Sequence, residues 1–383
     1  MKVLVIGGGI AGSAAALGLR KAGHDVTVFE AHPDTAEDIG AFLTLASNGM
    51  RALAELDATD AVTAVGFPLT SLRLLDHRGA EVRRGPLGEA DDPALRYRCL
   101  RRGELNAALQ GEAVRRGIRL CHGARLVSLT DGPGGVAARF AGGGTAMGDL
   151  LVGADGLHSA VRRLLAPGAR PVYAGQRVYY GYGHTGAIGP APATAGVITM
   201  VRGAATAFGY AVSPAGETYW FARAGGDPLP AGATARPSAV LREQLLPLLR
   251  EDDTPAAGLV EACDSIMVTN ATELPLGTTW RAGRVLLVGD AAHAASPATG
   301  QGASMALEDA VVLAKALRDL PDPPTALAEY ERFRRPRVEH NITVSGGLSR
   351  GTRPPSGPAA VMARPAEPDE ELIRRLAWDE PLS

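Results

Sequence analysis

Lysine is nearly missing from this chain: only Lys2, Lys21 and Lys315 stand among 39 basic residues, the rest being arginine. The 41 acidic residues leave a net charge of −2, which removes any global electrostatic case for a nucleic acid or an anionic membrane as partner. Cysteine is as scarce. Cys99, Cys121 and Cys263 are odd in number, far apart and without C-x-x-C spacing, so neither a disulfide framework nor a metal site is expected. They fit small buried apolar residues in a reducing compartment. Long hydrophobic runs are absent too. Val3-Leu4-Val5-Ile6 stops at Gly7, too short for a signal-peptide core or a membrane span, and no stretch nears the ~18 apolar residues a spanning helix needs. A cytoplasmic protein is expected. Aromatics make up only 5% of residues, which makes their crowding between 173 and 221 conspicuous.

What is present is a globular composition, 46% apolar and 21% charged, over 383 residues. That length exceeds one ordinary core and fits two intimately packed domains. The Ala, Gly and Arg load resembles GC-rich coding bias rather than a phosphate-binding surface. Residues 2–6 form an all-apolar run suited to a strand buried on both faces of a parallel sheet. A helix over Ile10–Ala22 and a strand over Asp25–Phe29 complete a βαβ opening. The pattern predicts a helix around Ser47–Leu56 capped by Ser47 or Asn48, a hairpin over 70–84 turning at Asp76–Gly79, and a helix over Arg102–Arg116. Ile118–Leu151 is several strands broken by Gly134-Gly135 and Gly142–Gly144. From about 170 to 224 the texture is β-rich with Gly/Pro turns, which predicts a mostly antiparallel sheet and a second domain. Arg284–Val288 returns to a buried parallel strand before a long helix over Gly302–Leu317. Another helix over Pro323–Val344 is expected to break or end near Pro336, and 351–368 is expected to be irregular.

Two segments at opposite ends of the chain carry glycines in a chemical pattern. Gly7, Gly9 and Gly12 fit G-x-G-x-x-G between strand and helix, so Ile10 and Ala11 open a helix whose free amides can face a pyrophosphate. Glu30, closing the second strand, can accept hydrogen bonds from a ribose diol. The second segment runs Gly289-Asp290-Ala291-Ala292-His293 and on through Pro297 to Gly300-Gln301-Gly302. Asp290 can hold a ribityl or ribose hydroxyl, and Gly300 and Gly302 can offer bare amides to the electron-rich edge of a reduced flavin. Glu308-Asp309 fit helix-stabilising acids or partners for a nearby arginine. Two such sites converge on one large dinucleotide, FAD.

These residues resemble the GD box of FAD-dependent aromatic-ring hydroxylases, single-component (group A) flavoprotein monooxygenases of the para-hydroxybenzoate-hydroxylase type. Gly153-Ala154-Asp155-Gly156-(x)2-Ser159-(x)2-Arg162 is similar to that family's DG box, and Arg102-Gly103-Glu104-Leu105 to its Arg-x-x-Leu. Gly40–Leu43 with Asn48 resembles the loop beside the isoalloxazine, and Tyr330-(x)4-Arg335-Pro336-Arg337 the helix that follows. The resemblance spans roughly 1–345 with the motifs in order. Departures are Ala31, where many members carry Arg, and Ser47, where Pro is frequent.

The resemblance implies an α/β fold: a Rossmann-like, GR2-type FAD-binding domain from 1–70, 94–170 and 281–350, with an inserted β-sheet substrate domain from 71–93 and 171–280. A C-terminal tail or helix occupies 351–383, and the thioredoxin-like extra domain of some relatives is not expected. It implies tightly but non-covalently bound FAD and NAD(P)H as a transient co-substrate. Dioxygen would form a flavin C4a-hydroperoxide that hydroxylates or epoxidises an electron-rich, aromatic or natural-product molecule, with natural-product tailoring preferred over catabolism. The rival readings are a reductase, oxidase or halogenase-like enzyme on the same cofactor, and a non-catalytic flavin binder. The expected cofactor residues are Gly7, Gly9, Ile10, Ala11, Gly12, Glu30, Arg102, Asp155, Asp290, Pro297, Gly300, Gln301 and Gly302. Asp155 is expected to divide between cofactor and turn cap, Arg162 to touch NAD(P)H or a surface acid, and His293 to be a structural hydrogen-bonder. Tyr180, Tyr182, Tyr210 and His184 are candidates to face the substrate, in company with Met200, Phe208 and Trp220. No catalytic side chain is certain, and a monomer or homodimer is expected.

Overall fold

The computed structural model describes residues 1–35, 40–184, 195–230, 232–351 and 370–382, without the side chains of His184 and Ala235. The expected irregular segment 351–368 therefore lies outside the described residues except for Gly351.

Alternating burial is absent from the first strand, Lys2–Ile6, whose Val3, Leu4 and Val5 are fully buried, because it lies at the centre of a sheet covered on both faces. That sheet has six strands in the order Arg281–Ala282, Val285–Leu287, Leu150–Gly153, Lys2–Ile6, Asp25–Phe29, Arg119–Cys121. All neighbours are parallel except the Arg281–Ala282 edge. The helix Ile10–Lys21 packs on the long helix Gly302–Asp319. A β-carbon on Gly18 would lie 2.9 Å from the Ala310 carbonyl oxygen, so the two helices touch backbone to backbone there. An antiparallel trio, Leu126–Gly132, Gly135–Phe140 and Thr145–Gly148, closes one side.

The second sheet has seven strands: Cys263–Glu273, Val172–His184, Glu217–Gly225, Thr206–Val212, Val197–Arg202, Ser71–Asp76 and Glu81–Pro86. It is antiparallel except where Val197–Arg202 runs parallel to Ser71–Asp76, so the early hairpin joins the later strands in one sheet. One face is covered by the helices Ser238–Leu249 and Ala256–Glu261, with Phe208, Trp220, Ala222, Leu241 and Leu245 in the layer between. The opposite face looks toward a small sheet, Phe42–Leu45, Tyr97–Arg101 and Phe67–Leu69, that bridges to the parallel sheet.

Two local expectations are corrected. The helix Pro323–Ser349 runs straight through Pro336 instead of breaking there. The proline removes one backbone donor, but its flanks are fixed from outside. Arg334 and Arg337 bind Glu308, and Arg335 binds Glu331, Glu339 and the Thr278 carbonyl. The helix Ser47–Glu55 is capped by neither Ser47 nor Asn48; its cap position is Ala46. Ser47 Oγ instead accepts the Glu89 amide (3.0 Å), and the Asn48 amide nitrogen donates to Gln301 (3.1 Å) and Glu308 (2.6 Å). Cys99 and Cys263 are buried and Cys121 is half-buried, all as free thiols. Among the described residues no helix is long and apolar enough to cross a membrane, and no group of side chains could hold a metal.

Candidate active site

Three glycine-bearing segments meet at the C-terminal ends of three adjacent parallel strands, the place where open α/β sheets bind ligands. The turn at Gly7 follows Lys2–Ile6, Ala154–Gly156 follows Leu150–Gly153, and Gly289 follows Val285–Leu287. Backbone bonds knit them: Ala154 N–H to the Ile6 carbonyl (2.7 Å) and Val288 N–H to the Gly153 carbonyl (3.0 Å). The glycines are obligatory where chains cross. A β-carbon on Gly12 would sit 1.9 Å from the Gly7 carbonyl oxygen, and one on Gly289 (φ 58°) 2.7 Å from Ala11 Cβ.

The first loop is held from beneath. Gly8 carbonyl oxygen accepts from Ser13 Oγ (2.9 Å) and from Gln110 Nε2 (2.7 Å). Glu30 lies at the end of its strand with one oxygen on the Gly8 amide (2.5 Å) and the other on the His32 amide (2.7 Å). Above Gly9 the nearest atom to a built β-carbon is Asn106 Oδ1 at 3.9 Å, so the loop presents an open surface there. Arg102, Asn106 and Gln110 recur every four residues along the helix Arg102–Arg115, hence on one face turned to this loop. Arg102 is the exposed outer member, lying over Gly40, and among the described residues has no ion-pair partner. Asn106 Oδ1 and Gln110 Oε1 are enclosed without a hydrogen-bond partner. Sequence reading missed both, although a polar stripe at i, i+4, i+8 along the helix was a usable signal.

The second loop is braced from behind. Asp309, fully buried, accepts from the Gly289 amide (2.9 Å), His293 Nε2 (2.5 Å) and Arg334 Nε (2.8 Å). Burial alone would raise this carboxyl, but His293 and Arg334 hold it well below the ordinary carboxylate range. Glu308 is likewise lowered, with Arg334 and Arg337 overcoming its burial. Burial works against the Arg334 charge, and the two carboxylates more than reverse that. His293, Glu308 and Asp309 thus form the scaffold of the loop. Asp290 itself points forward. It is half-buried, and its Oδ1 is 3.9 Å from where a Gly302 β-carbon would be. Pro297 opens a short 3-10 turn, Gly300 is left-handed (φ 67°), and Gly300 and Gly302 are exposed at the start of an 18-residue helix with no side-chain cap. Its first amides therefore lack acceptors. Gln301 is buried and takes the Asn48 bond, so its side chain serves the loop from below.

Asp155 caps rather than reaches out. Its carboxylate accepts Ser159 Oγ and the amides of Ala160 (2.6 Å) and Val161 (3.1 Å), and burial pushes its pKa up despite those bonds. Arg162 is 1% exposed, so neither a surface ion pair nor contact with NAD(P)H fits it. It donates to the Ala291 carbonyl (2.9 Å) and to Leu157, tying the two acidic boxes together, and burial lowers its pKa.

Facing these loops is the inner face of the seven-stranded sheet. Tyr180 and Tyr182 lie on it, with Met200, Tyr219, Phe221 and Met267. Phe42, from the bridging strand, packs edge-on against Tyr180 (6.1 Å), Tyr182 (6.2 Å) and Tyr219 (5.6 Å). The Arg101 guanidinium covers Tyr182 at 4.3 Å and pairs with Glu217 at 2.5 Å. Burial pushes both Tyr180 and Tyr182 to about 12, so their phenols stay protonated near neutral pH. Tyr180, Met200, Phe221 and Met267 are only half-buried although they lie between two layers, which leaves an opening along this face. Tyr210 is corrected: it pairs across from Trp220 and packs with Phe208 on the helix-covered face, so it does not line this opening. Phe208 and Trp220 lie there too. Period-two parity put Tyr180 with Tyr182, but parity does not say which face a strand turns to the cofactor. His184 ends its strand opposite Glu217; its side chain lies outside the described residues. Phe42 was expected in the loop beside the isoalloxazine but not as an aromatic wall, and sequence reading missed Tyr219, Phe221 and Arg223.

Comparison with known proteins agrees with this geometry. Residues 1–345 match the model of the family described as FAD binding domain. The aurachin C monooxygenase/isomerase of Stigmatella aurantiaca is 35% identical over 352 residues, covering 90% of this chain and 88% of that protein. The FAD-dependent urate hydroxylase of Klebsiella pneumoniae is 33% identical over 347 residues, covering 88% and 87%. The crystal structure of Klebsiella pneumoniae HpxO with FAD and uric acid superposes with a TM-score of 0.81 at 29% identity, covering 98% of this chain and 96% of that one. The open backbone at Gly9, Gly300 and Gly302, the orphaned Asn106 and Gln110 oxygens and the free Arg102 fit a dinucleotide flavin along this crevice. The chain belongs to the FAD-binding-domain family of para-hydroxybenzoate-hydroxylase-like flavoprotein monooxygenases, and it is a FAD-dependent oxidoreductase acting on a small organic molecule.

Proposed function

We propose that this enzyme consumes NAD(P)H and dioxygen to hydroxylate an electron-rich aromatic or heteroaromatic small molecule held between the Gly300 turn and the inner sheet face. The observation that carries this reading is the half-buried aromatic and thioether lining of Tyr180, Phe221, Met200 and Met267, on the sheet face whose Arg223 reaches the Ala298 carbonyl of the turn before Gly300. Flat apolar walls with few polar groups suit a planar ring and exclude water from it.

Gly7, Gly9, Ile10, Ala11 and Gly12 would present backbone to the FAD pyrophosphate, with Arg102 at its outer side. Glu30 retains acceptor capacity for the adenosine ribose, and Asp290 for the ribityl chain. Pro297, Gly300, Gln301 and Gly302 would shape the seat of the ring, with the first amides of the Gly302–Asp319 helix toward its electron-rich edge. Asp155 would contribute through the turn it caps. Bound FAD supplies the electron transfer and oxygen activation. The protein's own tasks are orientation, exclusion of water and a supply of protonated donors, for which Tyr180 is placed. The names of the similar proteins, a urate hydroxylase and an aurachin C monooxygenase/isomerase, support a ring nitrogen heterocycle or related natural product as substrate, in keeping with a tailoring role.

The test is oxidation of NADH and NADPH by the purified protein, with oxygen uptake and peroxide followed together, across phenols, indoles and heteroaromatic acids. Stimulation of both consumptions by one class with little peroxide is expected. NAD(P)H consumption without oxygen uptake would make the enzyme a reductase.

A further inference from the structure

Among the described residues Arg223 is a charge without a counter-ion, on the proposed substrate face where the sheet meets the Pro297–Thr299 turn. It follows Phe221 by two residues on the Glu217–Gly225 strand, so it shares the inner face with Tyr180 and Phe221. Its Nε is enclosed and has no hydrogen-bond partner. One terminal nitrogen reaches the Ala298 carbonyl at 3.3 Å, on the Pro297–Thr299 turn, and the guanidinium carbon is 6.0 Å from the Phe221 ring centroid. Among the described residues no carboxylate pairs with this half-buried side chain, whereas the three buried arginines are compensated, Arg334 by Glu308 and Asp309, Arg162 and Arg98 by several carbonyls. Burial presses its pKa down, with the Tyr180 phenol the one group acting the other way. Arginine does not relieve such pressure by giving up its proton, so an unpaired guanidinium here is a standing cost of folding. A fold retains such a cost where a ligand removes it.

Building on the proposed function, we propose that Arg223 anchors an anionic group of the substrate, a carboxylate or the ionised oxygen of an acidic heterocycle, and so selects anionic aromatics over neutral ones. The residue stands at the point where the sheet meets the Pro297–Gly302 loop. An anion held there lies beside the ring seat, and the fork geometry of the guanidinium fixes the plane of a carboxylate. Tyr180, protonated at neutral pH, can donate to the same anion but not repel it. The aromatic walls then hold the ring, while the charge sets its register.

The test uses the FAD-loaded enzyme and two non-reacting probes of equal shape, benzoate and benzamide, titrated against the visible flavin spectrum. Binding is read without turnover, so the result stands apart from whether the enzyme oxygenates anything. The wild type is expected to bind benzoate at least about tenfold more tightly than benzamide, the range of one charge-assisted hydrogen bond. Arg223→Gln is expected to abolish that preference while leaving benzamide affinity and FAD content within about twofold, and Arg223→Lys to keep part of it. A wild type that binds both probes alike, or neither, contradicts the proposal. So does an Arg223→Gln protein that keeps the preference, or one that loses FAD with the preference intact, which would assign Arg223 to the cofactor.

Discussion

Gly289 lies so close to Ala11 that a β-carbon on it would stand 2.7 Å from Ala11 Cβ, so the two glycine-rich segments at opposite ends of the chain are in direct contact. One crevice results from that contact, and the same backbone atoms determine both the packing of the sheet ends and the shape of the cofactor seat.

Gly289→Ala should therefore injure cofactor binding before it injures folding. The residue also sits at φ 58° and ψ −145°, a region that L side chains avoid at a cost of about 1–3 kcal/mol. FAD affinity is expected to fall at least tenfold, read by fluorescence of released FAD after gel filtration. Retention of full FAD would show that the two loops can separate without consequence.

Asp290→Ala and Asp155→Ala should separate the two acidic boxes. The Asp290 carboxylate accepts no hydrogen bond from a described residue and points to Gly302, so its loss should weaken FAD retention with little change in unfolding midpoint. Asp155 binds three groups at the start of the Ala160–Leu165 helix, and removing such a cap costs about 1 kcal/mol. The reverse pattern in paired FAD-content and urea-unfolding measurements would exchange their roles.

Much of this was legible in the sequence. Glycine spacing after apolar strands locates the crevice, because backbone approach leaves no other residue possible at Gly7, Gly12 or Gly289. His293 and Asp309 were legible as scaffold. What could not be read depended on partners distant in the chain. Ser47 was an ordinary cap until the Glu89 amide claimed its hydroxyl, and Pro336 a helix breaker until Glu308 and Glu331 fixed the arginines around it. Tyr210 fell on the wrong side because alternation sorts residues into two faces without saying which one meets the cofactor domain. Arg223 was one arginine among many, and only the absence of a carboxylate partner among the described residues sets it apart.

The brace behind the second loop carries a pH signature. Asp309 and Glu308 titrate in the folded protein below their ordinary values of 3.8 and 4.5, so the unfolded chain binds protons first. Their contribution is complete above those ordinary values and is lost as pH falls through the lowered ones. Stability should therefore drop steeply below about pH 4. Asp309→Asn should remove part of that dependence and cost about 3–5 kcal/mol at neutral pH, since Arg334 loses half its compensation. Urea unfolding at a series of pH values gives both quantities, and an unchanged slope below pH 4 would exclude these carboxylates as its source.

Phe42→Ala tests the bridge between the two layers. Its ring meets Tyr180, Tyr182 and Tyr219 and is 6% exposed. Loss of a buried phenylalanine costs about 3–5 kcal/mol. Water admitted beside the ring seat should raise the share of NAD(P)H that ends as peroxide. A destabilised variant with unaltered coupling would show that Phe42 only packs.

The most direct test of the account is turnover under isotopically labelled dioxygen, with NAD(P)H and a panel of phenols, indoles and heteroaromatic acids, the products read by mass spectrometry. One labelled oxygen atom in the organic product for each NAD(P)H consumed is the expected result. Consumption of NAD(P)H with the label confined to peroxide and water, for every compound in the panel, would contradict it.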